Sequence, residues 1–76
     1  MSGIRLLNDQ NYSVIVDAYS TSETFVGKSL PGAQKSDNVW QVFKVYTSGT
    51  VTQVLFADGN KNYDNVWDNR LSLTYE

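Results

Sequence analysis

Residues 39–59 read VWQVFKVYTSGTVTQVLFADG, and this stretch limits the possible folds more tightly than any other. Two runs rich in β-branched and aromatic residues, Val39–Thr47 and Thr50–Asp58, are joined by Ser48-Gly49. A two-residue connector containing glycine between such runs predicts a β-hairpin. The two-residue period of a strand puts Val39, Phe43 and Val45 on one face and Trp40, Val42 and Tyr46 on the other. Both faces are largely apolar. That suits a small, strongly curved barrel or sandwich better than a sheet with one open face.

The segments before the hairpin extend the β pattern. Tyr12–Ser20 (YSVIVDAYS) alternates Val14, Val16 and Ala18 with Ser13, Asp17 and Tyr19, and Thr24–Ser29 (TFVGKS) reads as a short second strand. Leu30-Pro31-Gly32-Ala33 then places proline and glycine where a type II turn needs them, with Gly32 free to take positive φ. The polar AQKSDN of 33–38 reads as loop.

After Ala57-Asp58-Gly59-Asn60 the period changes. Tyr63, Val66, Trp67 and Arg70 fall at helical spacing, among Asn and Asp residues that disfavour a long helix. One short α or 3₁₀ turn is expected across 62–69, dropping Trp67 into the core. Leu71–Tyr75 (LSLTY) alternates as a final strand. The resulting expectation is an all-β fold: a single five-stranded barrel or sandwich of SH3-like or OB-like size over 12–76. Residues 1–11 are expected to form an irregular lead-in or arm.

With 76 residues, one core is all the chain can build, and its stability must be modest. There is no cysteine to staple it and no histidine; the large side chains must stabilise it. Ten aromatic residues (three Phe, two Trp, five Tyr) are available for that purpose. Trp40, Phe43, Phe56 and Trp67 are the expected core.

The stretch DNVW occurs twice, at 37–40 and 64–67, and holds both tryptophans. The flanks differ, QVFK after one and DNRL after the other, so a structural repeat is disfavoured. In both copies Asx side chains would close a local turn before a large apolar residue enters the core.

Chemistry-bearing constellations are sparse. Asp58, Asn60, Asn62 and Asp64 match the first half of a calcium-binding EF-hand loop, but Tyr63 stands at the obligatory glycine and Asn69 at the bidentate glutamate. Asp64 and Asp68 would be neighbours on a helical turn, a pattern more often a solvated face than an acid–base pair. Without histidine or cysteine, and without a phosphate-cradling glycine loop, no nucleophile with its base is recognisable. The expectation is a protein that is not an enzyme and needs no cofactor or metal.

The six basic residues are scattered and the net charge is −2, so the basic stripe of a nucleic-acid binder is missing. The longest apolar runs, Val14–Val16 and Val54–Phe56, are too short to span a bilayer. MSGIRLLNDQ lacks an apolar core of signal-peptide length, so no signal-directed secretion is expected. Tyr12, Tyr19, Tyr46 and Tyr63 are candidates for an interface or for a platform that stacks sugar rings or unstacked bases, with a place in the core as the alternative. Ile4, Leu6 and Leu7 stand apart from the β pattern and are candidates for an arm that docks on a neighbour.

From residue 24 to 76 the chain resembles a pattern common in small bacteriophage-encoded proteins and domains. The matching residues are Trp40, Gly49, Ala57-Asp58-Gly59, Tyr63-Asp64, Val66-Trp67-Asp68, Arg70 and Leu73-Thr74-Tyr75, preceded by FVGKSLPGAQ with Gly27 and Pro31-Gly32. Where this chain has Tyr63, the similar sequences often have Phe. The resemblance implies a phage origin and a virion or virion-assembly role (tail, fibre, connector or capsid decoration), located in the virion or the host cytoplasm. It carries no catalytic residues. In physical terms the motif residues Asp58, Gly59, Asp64, Trp67, Asp68 and Arg70 read as a fold signature, with Asp68 and Arg70 bracing the turn that holds Trp67. The functional expectation is a protein acting by contact with other subunits, as a homo-oligomer or in a larger phage assembly. The alternatives are a carbohydrate or host-surface binding module using exposed aromatics, and a small phage inhibitor of a host enzyme.

Overall fold

A computed structural model describes residues 11–76; the candidate arm residues Ile4, Leu6 and Leu7 lie outside them. The described residues form an all-β architecture of four strands: β1 (Ser13–Asp17), β2 (Glu23–Ser29), β3 (Gln41–Ser48) and β4 (Val51–Phe56). They build one antiparallel sheet in the order β1-β2-β3-β4, with β1 and β4 as its edges. The all-β class is as expected, but the described residues form an open four-stranded sheet in place of the expected five-stranded barrel or sandwich. The expected last strand, Leu71–Tyr75, shortens to a bridge between Ala57 and Tyr75, where Asp58 N–H donates to Thr74 O at 2.8 Å.

The β3–β4 hairpin forms with its connector moved by one residue. Ser48 pairs with Val51, so Gly49-Thr50 makes the turn, and Gly49 takes φ 63°. Gly32 has φ 97°, as a turn of type II after Pro31 requires. At 57–60, Asp58 and Gly59 both have positive φ (60° and 71°), and this reverses the chain out of β4.

The register decides which residues share a face. Ile15, Gly27 and Val42 lie in one cross-strand row, and Asp17, Phe25 and Lys44 in the next. Onto this side folds the C-terminal segment 57–76. The core is Phe25, Trp40, Val42, Ala57 and Trp67, with Ile15, Ala33, Leu73 and Tyr75 packed against it. Trp67 begins a 3₁₀ turn, Trp67–Asn69, which is the part of the expected 62–69 turn that forms. Its indole lies on Gly27: a Cβ there would stand 2.6 Å from Trp67 Cε3 and 3.0 Å from Ile15 Cγ2. Gly27 is therefore the hollow in β2 that seats the tryptophan.

The two DNVW copies meet. Trp40 and Asn65 exchange backbone hydrogen bonds of 2.9 Å in both directions, and the two indoles pack at 6.2 Å between ring centres. Trp40 Nε1 donates to Gln34 O at 2.9 Å, and Asp68 N–H donates to Lys35 O at 3.1 Å, so loop 33–39 is tied to Trp40 and to the 3₁₀ turn that follows the second copy. The register pairs Trp40 with Asn65 rather than with Trp67. The two copies thus form a clasp, and each tryptophan enters the same core.

Two expected roles change. Phe43 and Phe56 pack on each other at 5.3 Å, half-buried, on the side of the sheet away from the tryptophans. Arg70 does not brace Asp68, which is exposed. Its Nε donates to Asp17 Oδ2 at 2.9 Å, and its guanidinium lies 4.6 Å above the Trp67 ring. This ties the end of the 3₁₀ turn to β1 across 53 residues of sequence. Asp64 lies before the turn, so it is not the helical neighbour of Asp68.

Candidate functional site

The exposed large apolar side chains gather in distinct places. The first is the face of the sheet opposite the core. Val16, Val26, Phe43 and Phe56 form one unbroken cross-strand row over all four strands. Val45 and Val54 pair in the adjacent row, and Val14 lies beside Lys28 on the other flank. Val14, Val16 and Val54 are 59%, 60% and 52% exposed. The polar members on this side are Thr24, Lys28, Gln41, Thr47 and Thr52; none is acidic.

This face follows from the local sequence. VIV in β1, FV in β2 and the QVFKV and QVLF runs of the hairpin put β-branched or aromatic residues on both sides of the pleat. Among the described residues one covering layer forms, the segment 57–76. On the second side Val14, Val16 and Val54 stay exposed, while Val26, Phe43, Val45 and Phe56 are half-buried.

The second place is a cleft of about 530 Å³ lined by Tyr12, Leu30, Pro31, Ala33, Asp37, Val39 and Tyr63. Tyr12 and Tyr63 stack with ring centres 5.7 Å apart and planes 20° from parallel. The Lys28 ammonium lies 5.1 Å from the Tyr12 ring centre. Asp37 is held in place by its own loop: Gln34 N–H donates to Asp37 Oδ2 at 2.9 Å, and Asp37 N–H donates to Gln34 O at 3.0 Å. Partial burial and the neighbouring Tyr12 push the Tyr63 phenol above its ordinary pKa.

A third surface is shallower and more polar, lined by Tyr19, Glu23, Phe25, Lys44, Arg70, Leu71, Leu73 and Tyr75. Its charges are already paired: Lys44 Nζ lies 3.3 Å from Glu23 Oε2, and Arg70 engages Asp17. Tyr75 O–H donates to Arg70 O at 2.8 Å, and its ring packs on Phe25 at 5.6 Å. Burial pushes the Tyr75 phenol up to about 12, with Arg70 opposing and Asp58 reinforcing the shift. Tyr75 therefore serves as a structural strut.

The four candidate tyrosines do not make one platform. Tyr12 and Tyr63 come together at the cleft, Tyr19 stands edge-on to Phe25 at 5.8 Å, and Tyr46 lies beside Lys44. Of the motif residues, Trp67 and Arg70 build the core and its fastening, Asp58 and Gly59 make the turn, and Asp64 and Asp68 are exposed. Sequence reasoning missed Leu30, Asp37 and Val39 as cleft walls, because the loop that brings them to Tyr12 and Tyr63 is positioned by the Trp40–Asn65 bridge. It also left Val16 and Val26 out of any site, although their alternation was readable. Among the described residues no helix is long and apolar enough to cross a membrane, and no group of three acidic side chains gathers to hold a metal ion. No protein-family model, curated protein or solved structure matches the chain.

Proposed function

We propose that the protein is a bacteriophage structural or accessory protein that works by protein–protein contact, using the open face of its sheet. Its first partner is a second copy of the same chain. The observation that carries this reading is the apolar row Val16–Val26–Phe43–Phe56, half-buried except for exposed Val16 and flanked by exposed Val14 and Val54. The phage context is supported by the sequence resemblance over residues 24–76.

A sheet that is apolar on both sides needs two covering layers, and a domain normally supplies both. At strand spacings of about 4.8 Å and a rise of about 3.3 Å per residue, the open face measures roughly 19 by 17 Å. Polar Thr24, Lys28, Gln41, Thr47 and Thr52 take part of that footprint, and the exposed apolar part is centred on Val14, Val16 and Val54. A second copy packed face to face would complete a β-sandwich, its sheets about 10 Å apart. The face has a single charge, Lys28, at its flank, so self-contact brings no buried like charges to its centre. One such contact is small, and repeating it in a symmetric assembly multiplies its strength.

The test is light scattering on a size-exclusion peak over a concentration series, comparing the unaltered chain with Val54→Lys. The expected result is a mass above the monomer that grows with concentration, and a monomer for the variant. A monomer for both at every concentration would remove the self-contact. Mass spectrometry of purified particles would then test incorporation into a virion.

A further inference from the structure

We infer that the Tyr12–Tyr63 cleft is a saccharide-binding site that takes the pyranose ring of a neutral glycan. It adjoins the open-sheet contact surface at Lys28, but the residues that line the cleft are not those of the apolar row. Of the exposed large apolar residues, Tyr12, Leu30, Val39 and Tyr63 all line this one cleft. Such clustering is what a binding depression looks like, as opposed to singly scattered surface residues. The volume, about 530 Å³, falls within the roughly 300–1,000 Å³ typical of small-molecule sites.

The lining selects the ligand class. The walls offer a stacked tyrosine pair, a leucine, a proline and a valine, which suits a rigid body with an apolar flat side. The polar groups are of mixed kind. Asp37 contributes a carboxylate whose Oδ2 is fixed by the Gln34 N–H and whose other oxygen makes no hydrogen bond among the described residues. The two phenols both donate and accept. Lys28 adds a cationic donor over the Tyr12 ring, 5.1 Å from its centre and beside the cleft lining. One anion and one cation near the same depression give no preference for a net charge, whereas hydroxyls that donate and accept can satisfy all of these groups. A pyranose ring combines an apolar C–H face with a rim of such hydroxyls.

The site is also firm. Loop 33–39 is held by Trp40 Nε1 on Gln34 O, by Asp68 N–H on Lys35 O, and by the Asp37–Gln34 pair. A wall held in this way loses little conformational freedom on binding. The tryptophans are buried and do not line the cleft, so the tyrosine rings are the more direct probe.

The experiment is an NMR titration of the full chain, with labelled tyrosine rings, against maltotetraose, cellotetraose and chitotetraose at millimolar concentration. The expected result is saturable movement of Tyr12 and Tyr63 with one of these sugars, while Tyr75 stays still. Tyr63→Ala should weaken binding about tenfold, whereas Tyr63→Phe should retain most of it. Val54→Lys, on the open face, should leave it unchanged. Three results would overturn the inference: no tyrosine moving with any of the sugars, a proline-rich peptide moving the pair where the sugars do not, or cross-relaxation from Ile4, Leu6 or Leu7 to the two rings, which would mean the chain fills its own cleft.

Discussion

The same four strands present two apolar faces, and among the described residues only one is closed over by a packed layer. On the covered side Gly27 makes room, Trp67 fills it, and Arg70 and Tyr75 lock the C-terminal segment down. On the open side Val16, Val26, Phe43 and Phe56 line up equally well, but the described chain fastens over one flank only, where buried Gln41 donates Nε2–H to Lys61 O at 2.9 Å. The alternation of a strand tells which residues travel together; whether their face is buried depends on what folds over it. Here one short segment covers one side, and the remaining apolar surface becomes the feature that function has to account for.

The contrast can be broken most severely at the covered face. Trp67→Ala should cost about 3–5 kcal/mol, enough to unfold much of a domain this small, as read by urea denaturation. Gly27→Ala should cost about 1–3 kcal/mol, because the new methyl meets the indole at 2.6 Å and the buried ring has little room to retreat.

A smaller effect is expected from Tyr75. Its pKa is raised to about 12 from the usual value of about 10, so the folded state favours the protonated phenol. The stabilisation from this phenol is complete below about pH 10 and is lost as pH rises towards about 12. Thermal melts across that range should show a falling midpoint, less steep in Tyr75→Phe. That variant should also lose about 1 kcal/mol at neutral pH, from the hydrogen bond to Arg70 O. An identical alkaline slope in both proteins would place the titration elsewhere.

At the open face, Val54→Thr should change unfolding free energy by less than about 0.5 kcal/mol under dilute, monomeric conditions. A loss as large as that of Gly27→Ala would mean the face is already buried, and the two sides would no longer differ.

Much of the fold was readable from the residues. The hairpin, the Gly32 turn, the Ala57–Asn60 reversal and the shared faces of 39–46 all follow from local rules of turn chemistry and strand period. What was not readable depends on long-range partners. Arg70 reaches Asp17, 53 residues away, and no local spacing points there. The two DNVW copies pair through Trp40 and Asn65, a register that neither copy specifies alone. The barrel expectation came from reading apolar residues on both faces as proof that both are buried within the chain; an open sheet with an external partner satisfies the same pattern. The tyrosines show the same limit, since only the folded loop decides that Tyr12 meets Tyr63.

The central claim is that the apolar row on the open face of the sheet is a contact surface for another copy. Its most direct measurement is the solution mass by light scattering over a concentration series, with the unaltered chain and Val54→Lys side by side. The account predicts a concentration-dependent mass above the monomer that the substitution abolishes without loss of fold. Identical monomers, or an assembly that Val54→Lys leaves intact, would contradict it.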